Sequence, residues 1–418
     1  MHVLEFILCL IALVGHLALC AAFVNRVHAM AFPRWVIEVF NWLARAFGVA
    51  VPAGVAYLLA NRAPDVADHV ELLAMPWALI AYFALSCMVG AVLVPWELAR
   101  RWTVSEPAAL VTQRAETRKL GSRVMPCAGH RILGRLLCRV PLNEALHIVV
   151  SEKHLELPRL PPQLDGLSIA HISDLHFTGA TPERFFHEVV EIVAEMKADL
   201  ICITGDLVEK YKYLPWLQRI LGRVRAEHGV YYVLGNHDAI IDVSRIRSEL
   251  DALGFLDLGG HCRTLEVNGT SIVLAGNELP WIAPAADPTR CPELAEPRRT
   301  GEPSPFSILL SHSPDQFPWA KRHGFDLMLA GHTHGGQIVF PVIGSILCPS
   351  RFGSRYAAGT FFESPTLMHV TRGVGGNTPL RWNCPPEVTR LVLCSPQCRD
   401  EPVYDRHGES ESAAARGA

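Results

Sequence analysis

Residues 200–206 read LICITGD and residues 230–238 read VYYVLGNHD, and these two stretches determine the fold. Each is a short run of β-branched and apolar residues that ends in glycine and then polar side chains, as a buried strand does. A helical pattern lies between them, so strand, helix and strand alternate along the chain. This alternation predicts βαβ units and a layered α/β domain.

Three other apolar runs end in the same way. They are Leu167 to Ile172, Phe306 to Leu310 and Leu327 to Leu329. In open α/β sheets, ligands bind at the carboxyl ends of the strands. We therefore expect five strand ends to converge on one rim, each carrying a side chain that can bind a metal ion.

Seven polar side chains at these strand ends are candidate metal ligands. They are Asp174, His176, Asp206, Asn236, His312, His332 and His334. Carboxylate, amide and imidazole ligands together suit borderline divalent ions, with Mn expected first and Fe or Zn as alternatives. Seven donors exceed what one ion takes while keeping a position for water, and they fit two ions that share a carboxylate. Two ions ~3.5–4 Å apart can activate water and clamp phosphate oxygens during in-line displacement.

His237 and Asp238 follow Asn236 directly. The side chain of His237 should point away from the metal ligand beside it, so its imidazole can protonate a leaving oxygen or stabilise charge on the phosphoryl group. We expect Asp238 to orient that ring. Taken singly, each residue also fits a structural role, since an aspartate after glycine is often a turn or helix cap. The ordered occurrence of all the blocks at strand ends favours the metal centre.

The five blocks together resemble the calcineurin-like metallophosphoesterase superfamily. They are Asp174-Leu175-His176, Gly205-Asp206, Gly235-Asn236-His237-Asp238, His312 and Gly331-His332-Thr333-His334-Gly335-Gly336-Gln337. The resemblance covers residues 155–395 and implies a four-layer α/β fold, in which two mixed sheets are flanked by helices. It also divides the ligands into one set of Asp174, His176 and His334 and another of Asn236, His312 and His332. In that arrangement Asp206 bridges the two ions and His237 is the catalytic imidazole.

The segment from Thr371-Arg372-Gly373-Val374-Gly375 through Pro385-Pro386-Glu387-Val388 resembles one branch of that superfamily. The branch contains membrane-linked bacterial phosphoesterases, their animal transmembrane relatives and UDP-2,3-diacylglucosamine pyrophosphatases of lipid A synthesis. It implies a phosphorylated, lipid-linked substrate and cleavage of a phosphodiester or pyrophosphate bond. Because a fold does not fix a substrate, a phosphomonoesterase and a phospholipid phosphodiesterase stay open at this point. So does a non-catalytic, metal-stabilised membrane scaffold.

Residues 1–98 are apolar and predict a membrane anchor. Residues 6–25 and 72–96 are uncharged runs, each as long as the roughly 20 residues that a helix needs to cross a bilayer. A cleaved signal peptide fits the first run poorly, since no Lys or Arg precedes it and no small-x-small cleavage site follows it cleanly. Residues 36–60 are apolar but contain charged residues and Pro52, which fits either a third crossing or an interfacial or re-entrant helix.

Basic residues begin where the last crossing ends. Arg100 and Arg101 open a basic juxtamembrane linker over residues 99–154, and residues 131–140 within it fit either a basic interfacial helix or a solvated one. Positive charge at the end of a crossing favours the cytoplasmic side. We therefore expect an integral membrane protein, in a bacterial inner membrane, whose catalytic domain over 155–395 faces the cytoplasm.

Composition narrows the remaining possibilities. The net charge of −3 and the absence of a basic, aromatic-interleaved stripe argue against nucleic acid as a partner. The 12 cysteines are scattered, which predicts mostly reduced thiols and no disulfide framework. Residues 280–305 predict a surface loop or flap, and the polar residues 396–418 predict a disordered tail.

Overall fold

Three N-terminal helices precede the α/β domain. The computed structural model describes residues 3–60, 77–103, 106–121, 136–288, 291 and 305–398. The helices are α1 (Val3–His28), α2 (Arg34–Ala60) and α3 (Trp77–Met88), and α3 continues through the π-helical turn Val89–Leu93 into α4 (Val94–Thr103). The three helical segments, α1, α2 and the continuous α3–α4, are each long and apolar enough to cross a membrane. The second run is therefore one continuous helix through Pro52, a residue that membrane-spanning helices tolerate.

Fifteen strands form two large sheets and one small one. They are β1 (Leu110–Lys119), β2 (His147–Glu156), β3 (Ser168–Ile172), β4 (Leu200–Thr204), β5 (Val230–Val233), β6 (Leu256–Asp257), β7 (Cys262–Val267), β8 (Thr270–Asn277), β9 (Phe306–Ser311), β10 (Leu327–Ala330), β11 (Val339–Phe340), β12 (Gly344–Ser345), β13 (Gly359–Glu363), β14 (Thr366–Val370) and β15 (Glu387–Cys394). The first sheet has the order β1-β2-β15-β3-β4-β5-β6, the second has the order β13-β14-β10-β9-β8-β7, and β11 pairs with β12. Strands β3 to β6 run parallel, as do β8, β9, β10 and β14, so each sheet presents a carboxyl edge.

Helices cover the outer face of each sheet. Those of the domain are α5 (Glu183–Glu195), α6 (Pro215–Leu221), α7 (Asn236–Ile241), α8 (Val243–Asp251) and α9 (Phe317–Arg322). Side chains alternate along β4, so Ile203 packs with Phe185 of α5 while Cys202 faces the second sheet and shares a core with Ile308. A third core joins Met328 of β10 to Phe317 of α9. These three cores separate four layers, which confirms the predicted four-layer fold.

Two expectations about the domain need correction. The first sheet begins at β1, so much of the segment 99–154 belongs to the α/β domain rather than to a linker. Its residues 110–119 read LVTQRAETRK, a polar pattern that suits an edge strand with few buried side chains but also resembles a solvated linker. The five strand ends also belong to two sheets, so the site forms between two facing carboxyl edges and not on one rim.

Two cysteines of the domain are joined. Cys262 on β7 forms a disulfide with Cys291, a pairing across 29 residues that the scattered spacing did not predict. The structure shows no second disulfide among the cysteines that it describes. Of the segment 280–305, the structure describes residues 280–288, 291 and 305. Residues 131–135 of the segment 131–140 and residues 399–418 of the tail lie outside the described residues.

Candidate metal centre

All seven predicted ligands lie in turns that follow the strands of the two sheets. Those of the first sheet, Asp174, His176, Asp206 and Asn236, follow β3, β4 and β5. Those of the second sheet, His312, His332 and His334, follow β9 and β10. Because the second sheet packs face to face on the first, the two groups of turns meet. The structure therefore brings together residues that are up to 160 positions apart in the chain.

The backbone of these turns is strained. Five of the seven ligands adopt positive φ angles between 46° and 71°, namely Asp174, His176, Asp206, His332 and His334. Such conformations cost on the order of 1–3 kcal/mol each and are concentrated at functional sites. Gly235 and Gly331 are required for a different reason, which is the lack of space for a side chain. A Cβ atom on Gly235 would lie 2.2 Å from an Asp206 oxygen, and one on Gly331 would lie 2.4 Å from an Asp174 oxygen. The glycines of the motifs thus permit the close approach of backbone to ligand.

One cluster of ligands contains Asp174, His176 and His334. The Nε2 atoms of the two histidines are 3.0 Å apart, and Oδ1 of Asp174 lies 3.6 Å from Nε2 of His176 and 3.5 Å from Nε2 of His334. Asp174 and His176 are buried. Three ligand atoms therefore converge on one point, as the resemblance implied for the first ion.

The second cluster contains Asp206, His312 and His332, with Asn236 beside it. Nε2 of His312 lies 3.1 Å from Oδ1 of Asn236 and 3.1 Å from Nδ1 of His332. Oδ2 of Asp206 is 3.2 Å from Nε2 of His312 and also 3.5 Å from Nε2 of His176. The same carboxylate oxygen thus touches both clusters, which is the position of a bridging ligand.

The hydrogen bonds behind two of the imidazoles leave their inner nitrogens free to bind a cation. Nδ1 of His312 donates to the carbonyl oxygen of Thr204 at 2.7 Å, so its Nε2 carries a lone pair. Nδ1 of His176 lies 2.5 Å from the carboxylate of Glu209, which fixes the same tautomer. Such outer partners are usual for metal-binding histidines. Lone pairs aimed at buried carboxylates repel them unless a cation lies between, so these residues fit divalent metal ions.

Residues 167–336 match the calcineurin-like phosphoesterase family. The chain is 30% identical to the metallophosphoesterase YkuE of Bacillus subtilis over 257 residues, which is 60% of this chain and 87% of YkuE. This chain is a calcineurin-like phosphoesterase. It is also 30% identical to the phosphodiesterase YaeI of Escherichia coli, covering 54% of this chain and 81% of YaeI. With the UDP-2,3-diacylglucosamine pyrophosphatase LpxG of Chlamydia trachomatis it shares 27% identity over 60% of this chain and 90% of LpxG.

The two carboxylates of this phosphoesterase are held in the anionic form. Burial by itself raises the pKa of Asp206, but the charges of His312 and His237 lower it well below its ordinary value. Burial likewise opposes ionisation of Asp174, yet the charge of His334 and the hydrogen bond from His176 lower its pKa. Burial lowers the pKa of His312, and the charge of Asp206 outweighs this and raises it to about 9, so Nε2 binds either a proton or, in its place, a metal ion. The centre therefore attracts positive charge, which divalent ions would supply.

Glu209 is a site residue that the sequence analysis missed. Its Oε1 lies 2.5 Å from Nδ1 of His176 and 2.6 Å from Nδ1 of His237, so one carboxylate orients a metal ligand and the candidate catalytic imidazole. Burial raises the pKa of Glu209, but the hydrogen bonds and charges of these two histidines lower it to about 2. The available signal was its position three residues after Asp206, where the turn brings it back to the centre.

Asp238 has a different position from the one expected. Its carboxylate accepts hydrogen bonds from the backbone N–H groups of Leu207 at 2.9 Å, Val208 at 3.0 Å and Gly235 at 3.0 Å. These hydrogen bonds connect the turn after β4 to the start of α7. Adjacent residues of a helix point in different directions, so Asp238 turns into the protein while His237 turns out. Glu209, and not Asp238, contacts the ring of His237.

Two further residues complete the surroundings of the centre. The guanidinium of Arg381 is buried and donates to the carbonyl oxygens of His334 at 3.1 Å and Gly375 at 2.6 Å, which holds the turn after β10. The ring of Trp281 lies 4.8 Å from the ring of His332 and forms one wall beside the second cluster. Neither belongs to a motif, and both were missed.

Behind the centre, a buried polar cluster lies between the sheets. His171, which lies within β3, bonds to Thr204 at 2.9 Å and to His369 at 2.9 Å. Nearby, the Glu387 carboxylate accepts from Ser151 at 3.1 Å and lies 4.0 Å from the ammonium of Lys153. His171 therefore has structural partners and does not reach the ligand clusters.

Proposed function

We propose that this phosphoesterase hydrolyses a phosphodiester or pyrophosphate bond in a lipid-linked substrate at the cytoplasmic surface of a bacterial inner membrane. The observation that carries the proposal is the position of Asp206, whose Oδ2 lies within 3.5 Å of an imidazole nitrogen from each cluster. A carboxylate shared in this way is what a pair of ions requires, and paired ions are the usual means of displacing a phosphate ester with water.

The seven candidate ligands would hold the two ions in two sets. Asp174, His176 and His334 would hold one, Asn236, His312 and His332 the other, and Asp206 both. Divalent cations in such a site lower the pKa of a water molecule and neutralise the phosphate oxygens. Mn is the ion we would test first, because mixed oxygen and imidazole ligands suit it.

His237 is the candidate for proton transfer to the leaving group. Its side chain is a quarter exposed, so it can reach a substrate, while its backbone N–H donates to Oδ1 of Asp206 at 2.9 Å. Glu209 holds Nδ1, which leaves Nε2 as the atom that faces the substrate. When the ring is an imidazolium cation, Nε2 also carries a proton, and it can deliver that proton to the departing oxygen while Nδ1 keeps its own on Glu209.

The three crossings support the cytoplasmic placement. The helices α1, α2 and the continuous helix α3–α4 would cross the membrane in alternating directions. The end of α1, the start of α2 and the end of α4 would therefore lie on the same side of the membrane. Four arginines occupy that side, namely Arg26, Arg34, Arg100 and Arg101. Hydrogen bonds also join the ends of α1 and α4 to the α/β domain. By the positive-inside rule, this distribution of arginines favours the cytoplasmic side for the domain.

The lipid-linked substrate class is supported by the anchor and by the name of one relative. An active site tethered to the bilayer meets membrane-bound substrates at a high effective concentration. LpxG is named a UDP-2,3-diacylglucosamine pyrophosphatase. A UDP-diacylglucosamine-type lipid is therefore the first compound to test, and its cleavage would release UMP and the lipid phosphate. The same centre would also serve a phosphomonoesterase or a phospholipid phosphodiesterase.

The test uses the full chain in detergent, loaded with Mn. It is expected to hydrolyse bis-p-nitrophenyl phosphate and the UDP-linked lipid, with close to two ions per chain by elemental analysis. Asp206→Asn should lose at least one ion and fall at least 100-fold in kcat, whereas the exposed control Glu116→Gln should change neither. A metal-loaded chain that turns over no phosphodiester, pyrophosphate or monoester would instead favour the non-catalytic scaffold.

A further inference from the structure

A short apolar hairpin projects from the domain beside the metal centre. It comprises β11, β12 and the residues that follow, 339–347, and we call it the apolar hairpin. Five of its large apolar side chains are exposed, namely Phe340, Val342, Ile343, Ile346 and Leu347. The exposed fraction is 69% for Val342 and 54% for Leu347. Isolated apolar residues are common on soluble surfaces, but so many within eight residues indicate a contact surface.

One end of the hairpin is bound to the first membrane helix. The side-chain amide of Asn25 donates to the carbonyl oxygen of Ile346 at 3.0 Å and accepts from the backbone N–H of Cys348 at 2.9 Å. Asn25 is only 5% exposed. The two hydrogen bonds satisfy its buried amide group, which would cost free energy if it had no hydrogen-bond partner. The hairpin backbone and α1 thus form a specific, polar joint.

The last membrane helix holds the other part of the hairpin. The guanidinium of Arg101 on α4 donates to the carbonyl oxygen of Ile343, to that of Ser345 at 3.3 Å and to the hydroxyl of Ser354. Arg101 and Asn25 lie near the ends of two different rods that emerge on the same side. The hairpin is therefore fixed to both.

The depth of these two residues follows from helix geometry. α1 has 26 residues, which at 1.5 Å per residue is about 39 Å, longer than the ~30 Å hydrocarbon core of a bilayer. A centred α1 extends ~4.5 Å beyond the core at each end, and Asn25 lies three residues, also ~4.5 Å, from the end of α1, which places it at the boundary between the hydrocarbon core and the polar interfacial layer. The exposed apolar side chains of the hairpin are thus at the level of the lipid headgroups.

The hairpin also lies directly against the metal centre. The hydroxyl of Ser345 donates to the carbonyl oxygen of Gly335 at 2.6 Å, one residue after the candidate ligand His334. A Cβ on Gly336 would come within 2.5 Å of the Cβ of Ser345, so the two turns are in close contact. On the other side of the centre, His28 at the end of α1 is within electrostatic range of His237.

We propose that the apolar hairpin inserts its exposed side chains into the interfacial layer of the membrane that the three helices cross. It forms a fourth point of membrane contact and fixes the metal centre at the lipid surface. The occupant of this surface is lipid, because the polar joints to α1 and α4 place it where lipid is the surrounding medium. This contact rests on the membrane anchor and not on the substrate proposed above.

Photo-crosslinking tests the contact independently of catalysis. p-Benzoylphenylalanine replaces Val342 in the full chain, reconstituted in vesicles of phosphatidylethanolamine and phosphatidylglycerol, and adducts are identified by mass spectrometry. Asn268 is the control position, since it is exposed in the β7–β8 turn, at the opposite end of the second sheet from the strand ends that bear the ligands. Hydrolysis of bis-p-nitrophenyl phosphate at the unmodified rate shows that each variant is folded.

Lipid adducts at position 342, at least tenfold more abundant than at position 268, are the expected result. Adducts that join two copies of the chain, equal labelling at both positions, or no lipid adduct at position 342 would overturn the proposal. A second arm uses Val342→Asp with Leu347→Asp. It should lower kcat/KM at least tenfold for a lipid-linked phosphodiester and less than twofold for the soluble one, and an equal loss for both would also count against the hairpin.

Discussion

The substitution Glu209→Gln tests whether the Glu209 carboxylate orients the two histidines that it contacts in the metal centre. The carboxylate accepts short hydrogen bonds from Nδ1 of His176 and from Nδ1 of His237. The amide keeps the shape but removes the negative charge, and its single carbonyl oxygen is a weaker acceptor. A hydrogen bond to a charged group contributes about 1.5–3 kcal/mol. We expect a loss of about 3 kcal/mol in transition-state stabilisation, which corresponds to roughly 100-fold in kcat.

The dependence of the rate loss on the leaving group distinguishes impaired proton delivery from a general disruption of the active site. An alkyl alkoxide needs a proton as it departs, whereas p-nitrophenolate is stable without one. If Glu209 acts by orienting His237, Glu209→Gln should lose roughly 100-fold with an alkyl phosphodiester and only about tenfold with bis-p-nitrophenyl phosphate. Steady-state kinetics on both substrates, with elemental analysis of each preparation, measures the difference. Glu116→Gln, at an exposed glutamate, is the matched control.

Two results would refute this reasoning. Equal losses with both leaving groups would show that His237 does not deliver a proton. A loss fully explained by missing metal would show that Glu209 acts only through His176. Addition of His237→Ala to Glu209→Gln should add little further loss with the alkyl substrate, because the two side chains act as one unit.

Three other perturbations have expected outcomes. Glu387→Gln removes the carboxylate that lies 4.0 Å from the buried ammonium of Lys153 and should cost about 3 kcal/mol, a fall of roughly 5–10 °C in Tm by calorimetry at neutral pH. Burial raises the pKa of Glu387, but the neighbouring cations lower it below its ordinary value of 4.5. The carboxylate therefore stabilises the fold above pH 4.5, and this stabilisation declines as the pH falls. The difference in Tm between wild type and Glu387→Gln should accordingly become smaller in acid. Gly331→Ala places a Cβ against an Asp174 oxygen and should lower the metal content below two per chain, whereas the open Gly254→Ala should not. In a cytoplasmic domain Cys262 and Cys291 should be thiols in intact cells, detected by alkylation before lysis, and a persistent disulfide would argue for the opposite orientation.

The sequence was sufficient to place the seven candidate ligands at strand ends, because each motif couples a local conformation to a chemical group. Asp206 follows a glycine at the end of a buried strand, and Asn236 does the same one βα unit later. Strand ends, turns and ligand types are all short-range properties, so they can be read without coordinates. The apolar runs likewise predicted the membrane helices, because length and hydropathy alone define a crossing.

Pairings across the chain were harder to predict. The edge strand β1 has a polar pattern, and only its register with β2 shows that it belongs to the sheet. Glu209 and Arg381 have no motif, and their function depends on atoms that folding brings to them. Asp238 was misassigned because adjacency along the chain was taken for adjacency of side chains. Cys262 and Cys291 could not be paired from spacing alone.

What the amino-acid sequence determined by itself is a phosphoesterase of two sheets, with seven candidate metal ligands at strand ends and an apolar N-terminal region. Those are matters of composition and of periodicity within a few residues. Only the tertiary structure decided that the two sheets offer facing edges, that one oxygen of Asp206 touches both clusters, and that Glu209 holds His237. It also decided that an apolar hairpin is bound to Asn25 of α1 and to Arg101 of α4. The physical reason is that hydrogen bonds and electrostatic contacts act over a few ångströms, while the residues that make them are separated by up to 323 positions in the chain.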